Sequence, residues 1–181
     1  MKRIDGRIKY TKQAIRNNLL KLIRIMPIEK ITVKALCEKS EINRATFYRH
    51  YNDCYDVMEE IEMEMLDELF KLIENRKQDD IFLIMAENIK EHREIYTSVS
   101  SDNGDPYFSE KIIRLCYKEK REQIKTAFSK LSETQCHWLY EYFAHGCAGI
   151  LSCWMAGGMK ESTENVAEFL SKIITVTLST Q

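Results

Sequence analysis

The chain has 181 residues, of which 44% are hydrophobic, and it contains only six glycines and two prolines. It can therefore bury the core of one or two small domains, and long helices are expected. Residues 1–51 hold 13 Lys or Arg against 4 Asp or Glu, a net charge of +9, whereas residues 52–181 hold 14 against 24, a net charge of −10. This division predicts that the first fifty residues meet a polyanion and that the rest does not. Charged residues interrupt the N-terminal segment, so no secretory signal is expected and the predicted location is cytoplasmic.

The first predicted helix spans about residues 11–26, and two short helices follow within residues 32–51. Thr32 is predicted to cap the first of this pair and Asn43 the second, because each precedes an apolar-periodic run. Two short helices at a steep angle, the second with a basic and aromatic exposed face, predict a helix-turn-helix that enters a major groove. A pair of short surface helices without a DNA partner is the alternative that the pattern leaves open.

The exposed faces of these two short helices carry the residues that are predicted to contact DNA. Arg44, Ala45 and Thr46 lie at the N-terminal end of the second helix, the part that reaches base edges in this docking mode. Arg44 is suited to guanine, and Ala45 or the Thr46 methyl to a thymine methyl. Thr32 and Lys34 are expected to hold a phosphate at the start of the first helix. The predicted exposed faces of the pair carry Lys34, Arg44, Thr46, Tyr48, Arg49 and His50.

The rest of the chain is predicted to be helical throughout. One predicted helix spans about 53–76, and the next starts near Asp79 and carries Phe82, Met85 and Ile89. Two more span about 92–100 and 106–128, and the last two begin after Ser132 and after Ser162 and run to about Gly157 and 178. The total is about nine helices, an all-α fold. The expected division is a DNA-binding domain at 1–52 and a helical-bundle domain at 53–181, with the predicted fourth helix as the only covalent route between them.

The predicted eighth helix has no Asp, Glu, Lys or Arg from Tyr142 to Met159. Its length is marginal for a membrane span, but several glycines and His145 dilute it, so no membrane association is expected. A helix that is apolar on nearly all sides must be covered on nearly all sides. Small residues at helical spacing favour a second copy of the chain as that cover, and a central core helix in a monomer is the alternative. The predicted interface residues are Ala144, Ala148, Gly149, Ser152 and Ala156.

Three stretches of the N-terminal quarter resemble the DNA-binding domain of TetR/AcrR-family transcriptional regulators. They are Thr11–Ile15, Ile31–Leu36 and Ile42–Tyr51, the last of which includes the specific run Thr46-Phe-Tyr-Arg-His-Tyr51. A segment at 149–159 is similar to one in a Gram-positive subgroup. The resemblance implies a three-helix helix-turn-helix domain followed by a regulatory and dimerisation domain. It also implies a homodimer on a palindromic double-stranded operator, most often an effector-responsive repressor, and backbone contacts by Tyr48, His50 and Tyr51.

The sequence departs from the family pattern at two positions that bear on DNA binding. Glu41 stands in the turn where the family usually has glycine. A left-handed conformation costs a non-glycine residue about 1 kcal/mol or more, so the construction of this turn is left open. Cys54 stands where the family usually has a lysine that contacts phosphate, so that contact is not carried over. Cys54 is also expected to be the cysteine nearest the surface.

No pattern of catalytic or metal-ligating residues appears in the sequence. His92, His137 and His145 lie on separate predicted helices, so no metal site, cofactor or enzyme activity is expected. The candidate lining of an effector pocket is Phe82, Met85 and Tyr117, suited to a small apolar or aromatic compound. The competing hypothesis is a DNA-bound adaptor of the same fold, whose C-terminal domain binds a protein partner and no small molecule.

Overall fold

The computed structural model describes the backbone of residues 2–76, 80–115 and 131–179 and the side chains of residues 6–76, 80–115 and 131–175. The regular structure in those ranges is helical, which confirms the all-α prediction. The helices are α1 (Lys2–Ile23), α2 (Val33–Lys39), α3 (Arg44–Tyr48), α4 (Cys54–Asn75), α5 (Ile81–Glu91), α6 (Arg93–Val99), α7 (from 108 to at least 115), α8 (Glu133–Ala156) and α9 (Thr163–Ser179). A 3₁₀ turn, Ile28–Lys30, precedes α2. The predicted stretch 116–128 lies outside the described residues.

α1 begins nine residues earlier than the periodicity predicts. Ile15, Leu19 and Ile23 are fully buried, so the apolar pattern starts only at the second half of the helix. The described side chains from residue 6 to residue 10 are all exposed. Ile8 stands at helical spacing before Ile15, but it is 39% exposed, so the helix continues here without the buried apolar face on which the prediction depended.

The chain divides into two compact units. The first unit consists of Met1–Met65 and Thr97–Pro106, and the second of Leu66–Tyr96 and Tyr107–Gln181. The chain therefore passes between the units three times: within α4, after Tyr96 and after Pro106. The expectation that α4 would be the only covalent route is wrong, because the segment 97–106 supplies two more.

The segment 97–106, here called the strap, completes the hydrogen bonding of the first unit. The backbone oxygen of Asn103 accepts from the amide of Ile28 (2.8 Å), and the Asn103 side chain donates to the carbonyl of Ile23 at the end of α1 (3.0 Å). These are backbone groups that a helix end leaves without partners. A Cβ atom at Gly104 would lie 2.4 Å from a backbone oxygen of α6, so only glycine fits there.

The second unit packs α5 against α9. The Ser171 hydroxyl of α9 donates to Asp80 (2.8 Å), whose other oxygen caps α5 by accepting from the amide of Phe82. α8 begins with a reciprocal capping box between Ser132 and Gln135, as its predicted start after Ser132 requires. Among the described helices, none combines the length and the hydropathy that crossing a bilayer demands.

Candidate nucleic-acid interface

The caps of α2 and α3 confirm the local prediction. The amide of Ala35 donates to the Thr32 hydroxyl (3.1 Å), and the amide of Thr46 donates to the Asn43 side chain (2.7 Å). Each cap satisfies one of the amides that begin a helix. Both short helices therefore start where the sequence places them.

Glu41 adopts the left-handed conformation that glycine would take in this turn, with φ of 55°. Its amide donates to the carbonyl of Glu38 (3.3 Å), and the amide of Ile42 donates to that of Cys37 (3.1 Å). This pair of bonds is the Schellman arrangement at the end of α2. The turn is thus built as in a glycine-containing chain, and Glu41 bears the backbone strain.

Leu36, Cys37 and Phe47 are buried beneath the two helices. The opposite side forms what is here called the recognition surface, whose members are exposed or half-buried. It consists of Thr32, Lys34, Arg44, Ala45, Thr46, Tyr48, Arg49 and His50. Of the nine residues predicted to contact DNA, eight thus lie on accessible faces of the pair.

Tyr51 does not belong to the recognition surface. Its side chain is 5% exposed, and its hydroxyl donates to Glu60 (2.9 Å). Burial and the adjacent Glu60 carboxylate raise the pKa of Tyr51 well above its ordinary value. The predicted backbone contact is therefore corrected: Tyr51 is a core residue, held 5.7 Å from Phe47 between ring centroids.

Glu60 joins α1 to α4 within the first unit. Lys12 donates to its carboxylate (2.6 Å), and Arg16 lies 3.9 Å from it and also pairs with Glu64. Burial acts to raise the pKa of Glu60, but the hydrogen bonds from Lys12 and Tyr51 and the nearby positive charges outweigh it, so the pKa is lowered. Two cations of α1 are thereby neutralised by acids of α4.

Cys54, in the first turn of α4, does not supply the phosphate contact that a lysine usually makes at this position in the family that the sequence resembles. Cys54 is 3% exposed, and burial raises the pKa of its thiol to about 11. The expectation that Cys54 lies nearest the surface is wrong; among the described cysteines, Cys153 is the exposed one. The Asp53 carboxylate accepts from the amides of Tyr55 (2.8 Å) and Asp56 (3.0 Å), so an acid already occupies the positive end of α4.

The candidate effector residues have different environments. Met85 is fully buried, Phe82 is half-buried and Tyr117 lies outside the described residues. Sequence reasoning missed Asn88, which is 2% exposed and accepts a hydrogen bond from the Tyr96 hydroxyl (2.5 Å). Its side-chain nitrogen has no hydrogen-bond partner among the described residues. The sequence did contain a signal for this residue, because Asn88 is an amide on the apolar face of a predicted helix.

The five predicted interface residues separate into two groups. Ala144 and Ala148 are buried by the chain itself, and Ser152 is half-buried and bonded to Ser109 (3.1 Å). Gly149 and Ala156 are exposed. They belong to an exposed row, here called the α8 stripe: Trp138, Tyr142, Gly146, Gly149, Cys153 and Ala156. Trp138 is 66% exposed and Tyr142 64%, and a Cβ atom at either glycine would meet open space.

Beside the stripe, Glu110, Glu141 and His145 bring potential metal-ligating atoms within 4.8 Å of one another. Arg114 donates to both carboxylates, at 2.7 Å to Glu110 and 2.8 Å to Glu141. These bonds lower the pKa of the Glu141 carboxyl. The two nitrogens of His145 face the same carboxylates at 3.3 and 3.6 Å. This arrangement favours an ion-pair network between α7 and α8 over a metal site.

Residues 76–176 match the family model described as a transcriptional regulator C-terminal region of the TetR type. The chain belongs to the TetR family of transcriptional regulators. No curated protein sequence matches it with statistical significance. Among solved structures, the dihydroxyacetone kinase operon activator DhaS is similar to the regulator with a TM-score of 0.61, over 93% of this chain and 96% of that one. At 16% identity this similarity concerns the fold alone.

Proposed function

We propose that this regulator is a homodimeric repressor that binds a palindromic operator through its recognition surface and releases it when a small effector binds. The observation that supports DNA reading most directly is the placement of Arg44 and Ala45, both exposed at the N-terminal end of a capped α3. Arg44 would pair with a guanine and Ala45 would contact a thymine methyl. Thr32 and Lys34 would hold phosphate at the start of α2.

The α8 stripe is the proposed dimer contact. Gly146 and Gly149 allow a second backbone to approach, and the flanking Trp138 and Tyr142 supply apolar area that is otherwise exposed to water. A two-fold axis through such a face places the same residues of both copies against each other. Two reader helices related by that axis would match half-sites about 34–36 Å apart.

The effector is proposed to engage Asn88. A buried amide nitrogen without a partner costs roughly 1–3 kcal/mol, and a ligand that carries a hydrogen-bond acceptor would recover that cost. Tyr96 holds the amide oxygen, and the Phe108 ring lies 6.0 Å from the Tyr96 ring between centroids. A compound with an aromatic or apolar body and one acceptor atom would be chemically complementary to these neighbours. The effector must bind the DNA-released state more tightly than the DNA-bound state. Operator then lowers the affinity for the effector by the same factor by which the effector lowers the affinity for operator.

Repression is the proposed sign of regulation, because it requires only that the bound dimer overlap a promoter. Activation requires a further contact with the transcription machinery. DhaS is named an operon activator, so a reporter assay must be designed to register both signs.

The test begins with mapping where the regulator binds on its own genome. Titration of the recovered site and a scrambled duplex should show selective binding by a dimer, and deletion of the gene should raise expression of the adjacent genes. A thermal-shift screen then supplies compounds for operator titration, with Asn88→Ala as the variant that should lose the response. Absence of selective binding would contradict the DNA-reading proposal. If no stabilising compound changes operator affinity, the protein-binding adaptor replaces the effector-responsive repressor.

A further inference from the structure

α1 extends well beyond the part that packs. Residues 2–10 are helical, yet the described side chains from Gly6 to Tyr10 are all exposed, and Tyr10 reaches 79% exposure. A surface helix normally owes its stability to a buried apolar stripe, and none of the side chains from residue 6 to residue 10 is buried. These side chains are therefore accessible to a partner.

The charge of this segment indicates the kind of molecule. Residues 2–10 contain four cations and one acid, a net charge of +3. Among the described residues, Arg7 and Lys9 form no ion pair, although the next cations along the same helix, Lys12 and Arg16, are paired with acids of α4. Lys12 and Arg16 are thus neutralised within the protein, whereas Arg7 and Lys9 remain available for a polyanion.

The extension also ends close to Lys12, whose side chain contacts the residue that follows the recognition surface in sequence. The Lys12 ammonium lies 5.2 Å from the centroid of the Tyr51 ring, and Tyr51 directly follows His50 of the recognition surface. At about 1.5 Å per residue, Lys9 and Arg7 lie roughly 4–8 Å further along the axis of α1. Arg7 and Lys9 therefore lie within about two helical turns of the contact between Lys12 and Tyr51.

We propose that Arg7 and Lys9 of α1 form a second DNA contact, which binds the phosphate backbone flanking the half-site that α3 reads. This inference rests on the proposed DNA-reading function and adds a grip that is independent of sequence. Each cation that neutralises a phosphate releases a condensed counterion, so the contact should appear in the salt dependence of binding.

The test compares Arg7→Ala/Lys9→Ala with wild type on two duplexes that carry the mapped operator, one ending at the half-sites and one with about ten flanking base pairs on each side, roughly one helical turn. On the long duplex, the variant should bind more weakly than wild type, with the same preference for operator over scrambled sequence. Its slope of log affinity against log salt should be shallower by about 0.9 for each lost phosphate contact, hence about 2 per protomer. On the short duplex, the two proteins should bind alike.

Lys21→Ala is the matched control, since Lys21 is an exposed cation at the opposite end of α1 and should leave the slope unchanged. An unchanged slope for the double variant on the long duplex would overturn the flanking contact, as would an equal loss on both duplexes. The same titration measures whether wild type binds the operator selectively. If it does, the DNA-reading proposal holds even when one of these two results rules out the flanking contact. Because both side chains are exposed, unaltered helicity and thermal midpoint are expected.

Discussion

The recognition surface and the α8 stripe are both exposed, but they differ in almost every chemical respect. The recognition surface carries three cations, and its short helices start at polar caps. The stripe consists of aromatic and small residues on a stretch that has no Asp, Glu, Lys or Arg between Tyr142 and Met159. Exposure alone therefore identifies no partner. The charge and size of the side chains distinguish a surface suited to a polyanion from one suited to an apolar helix.

The strongest challenge to this comparison places a charge in the apolar surface. Gly149→Arg should dissociate the proposed dimer, because an uncompensated charge in a close helix contact costs about 3–5 kcal/mol. The monomers should stay helical, since Gly149 is exposed in the single chain. Sedimentation at micromolar concentration measures the loss, and operator titration should show greatly weakened binding.

Asn75→Arg supplies the control for Gly149→Arg, because Asn75 is exposed at the end of α4 and outside the stripe. Ala148→Arg shows the effect of a charge in the core of a single chain. Because Ala148 is buried by its own chain, that variant should unfold and not merely dissociate. A dimer that survives Gly149→Arg would remove the stripe from the interface.

The opposite change removes a cation from the recognition surface. Arg44→Ala should cost about 1–3 kcal/mol of operator binding and relax the base preference at one position of each half-site. Titration against the operator and a scrambled duplex measures both effects.

Lys34→Ala gives the matched comparison for Arg44→Ala. Lys34 is also exposed, and its contact with Glu38 is a weak one at 4.0 Å. Its loss should weaken all sequences alike and flatten the salt slope by about 0.9 per protomer. If Arg44→Ala behaved in the same way, Arg44 would be a phosphate contact and α3 would not read bases through it.

The helices that carry the two surfaces, α2 and α8, can also be compared at the backbone of their C-terminal ends. The ends of α2 and α8 make the same two hydrogen bonds, but α8 places Gly158 at the left-handed position, with φ of 85°, where α2 has Glu41. Glu41→Gly should therefore raise the free energy of unfolding by about 1 kcal/mol. Urea denaturation measures it.

Glu38→Gly is the control for Glu41→Gly, since Glu38 lies inside α2 with helical geometry. That substitution should lower the stability by about 1 kcal/mol. Equal signs for the two variants would show that strain at Glu41 is not the deciding factor.

The smallest expected effect concerns Glu60 of α4, the acid that accepts from Lys12 and Tyr51. The pKa of Glu60 is lowered in the folded chain, so its ionised form contributes stability that is present above the ordinary value of 4.5 and is lost as the pH falls through the folded value. The stability difference between wild type and Glu60→Gln should therefore shrink as the pH is lowered from 7 to below 4.5. Urea denaturation across this range checks it, and a difference independent of pH would contradict the ion-pair role.

Local rules predicted the parts of the molecule that local interactions determine. The caps at Thr32 and Asn43 follow from a polar side chain beside a periodic run, and the structure contains both; α8 also begins after Ser132, as predicted. The all-α fold follows from the same periodicity.

The failures of prediction have non-local causes. Tyr51 shares a helical face with Phe47, which favoured the core, but the family motif assigned it to DNA; only the pairing with Glu60 decides. The small-residue ladder of α8 does not distinguish a neighbour in the same chain from one in a second copy, so buried Ala144 and Ala148 were grouped with exposed Gly149. The polar pair of Asn88 and Tyr96 depends on two helices meeting.

The strap has a consequence for exchanging parts between regulators. Residues 1–65 on their own would leave the carbonyl of Ile23 and the amide of Ile28 without the partners that Asn103 supplies. Consider a chimera that joins residues 1–65 to the C-terminal part of another regulator at α4. Its first unit would be incomplete unless that C-terminal part also carried a compatible 97–106 segment with glycine at position 104. Recombination between such genes should thus need three breakpoints, one at each passage of the chain between the two units, because a unit that is discontinuous in sequence cannot be inherited as a single block.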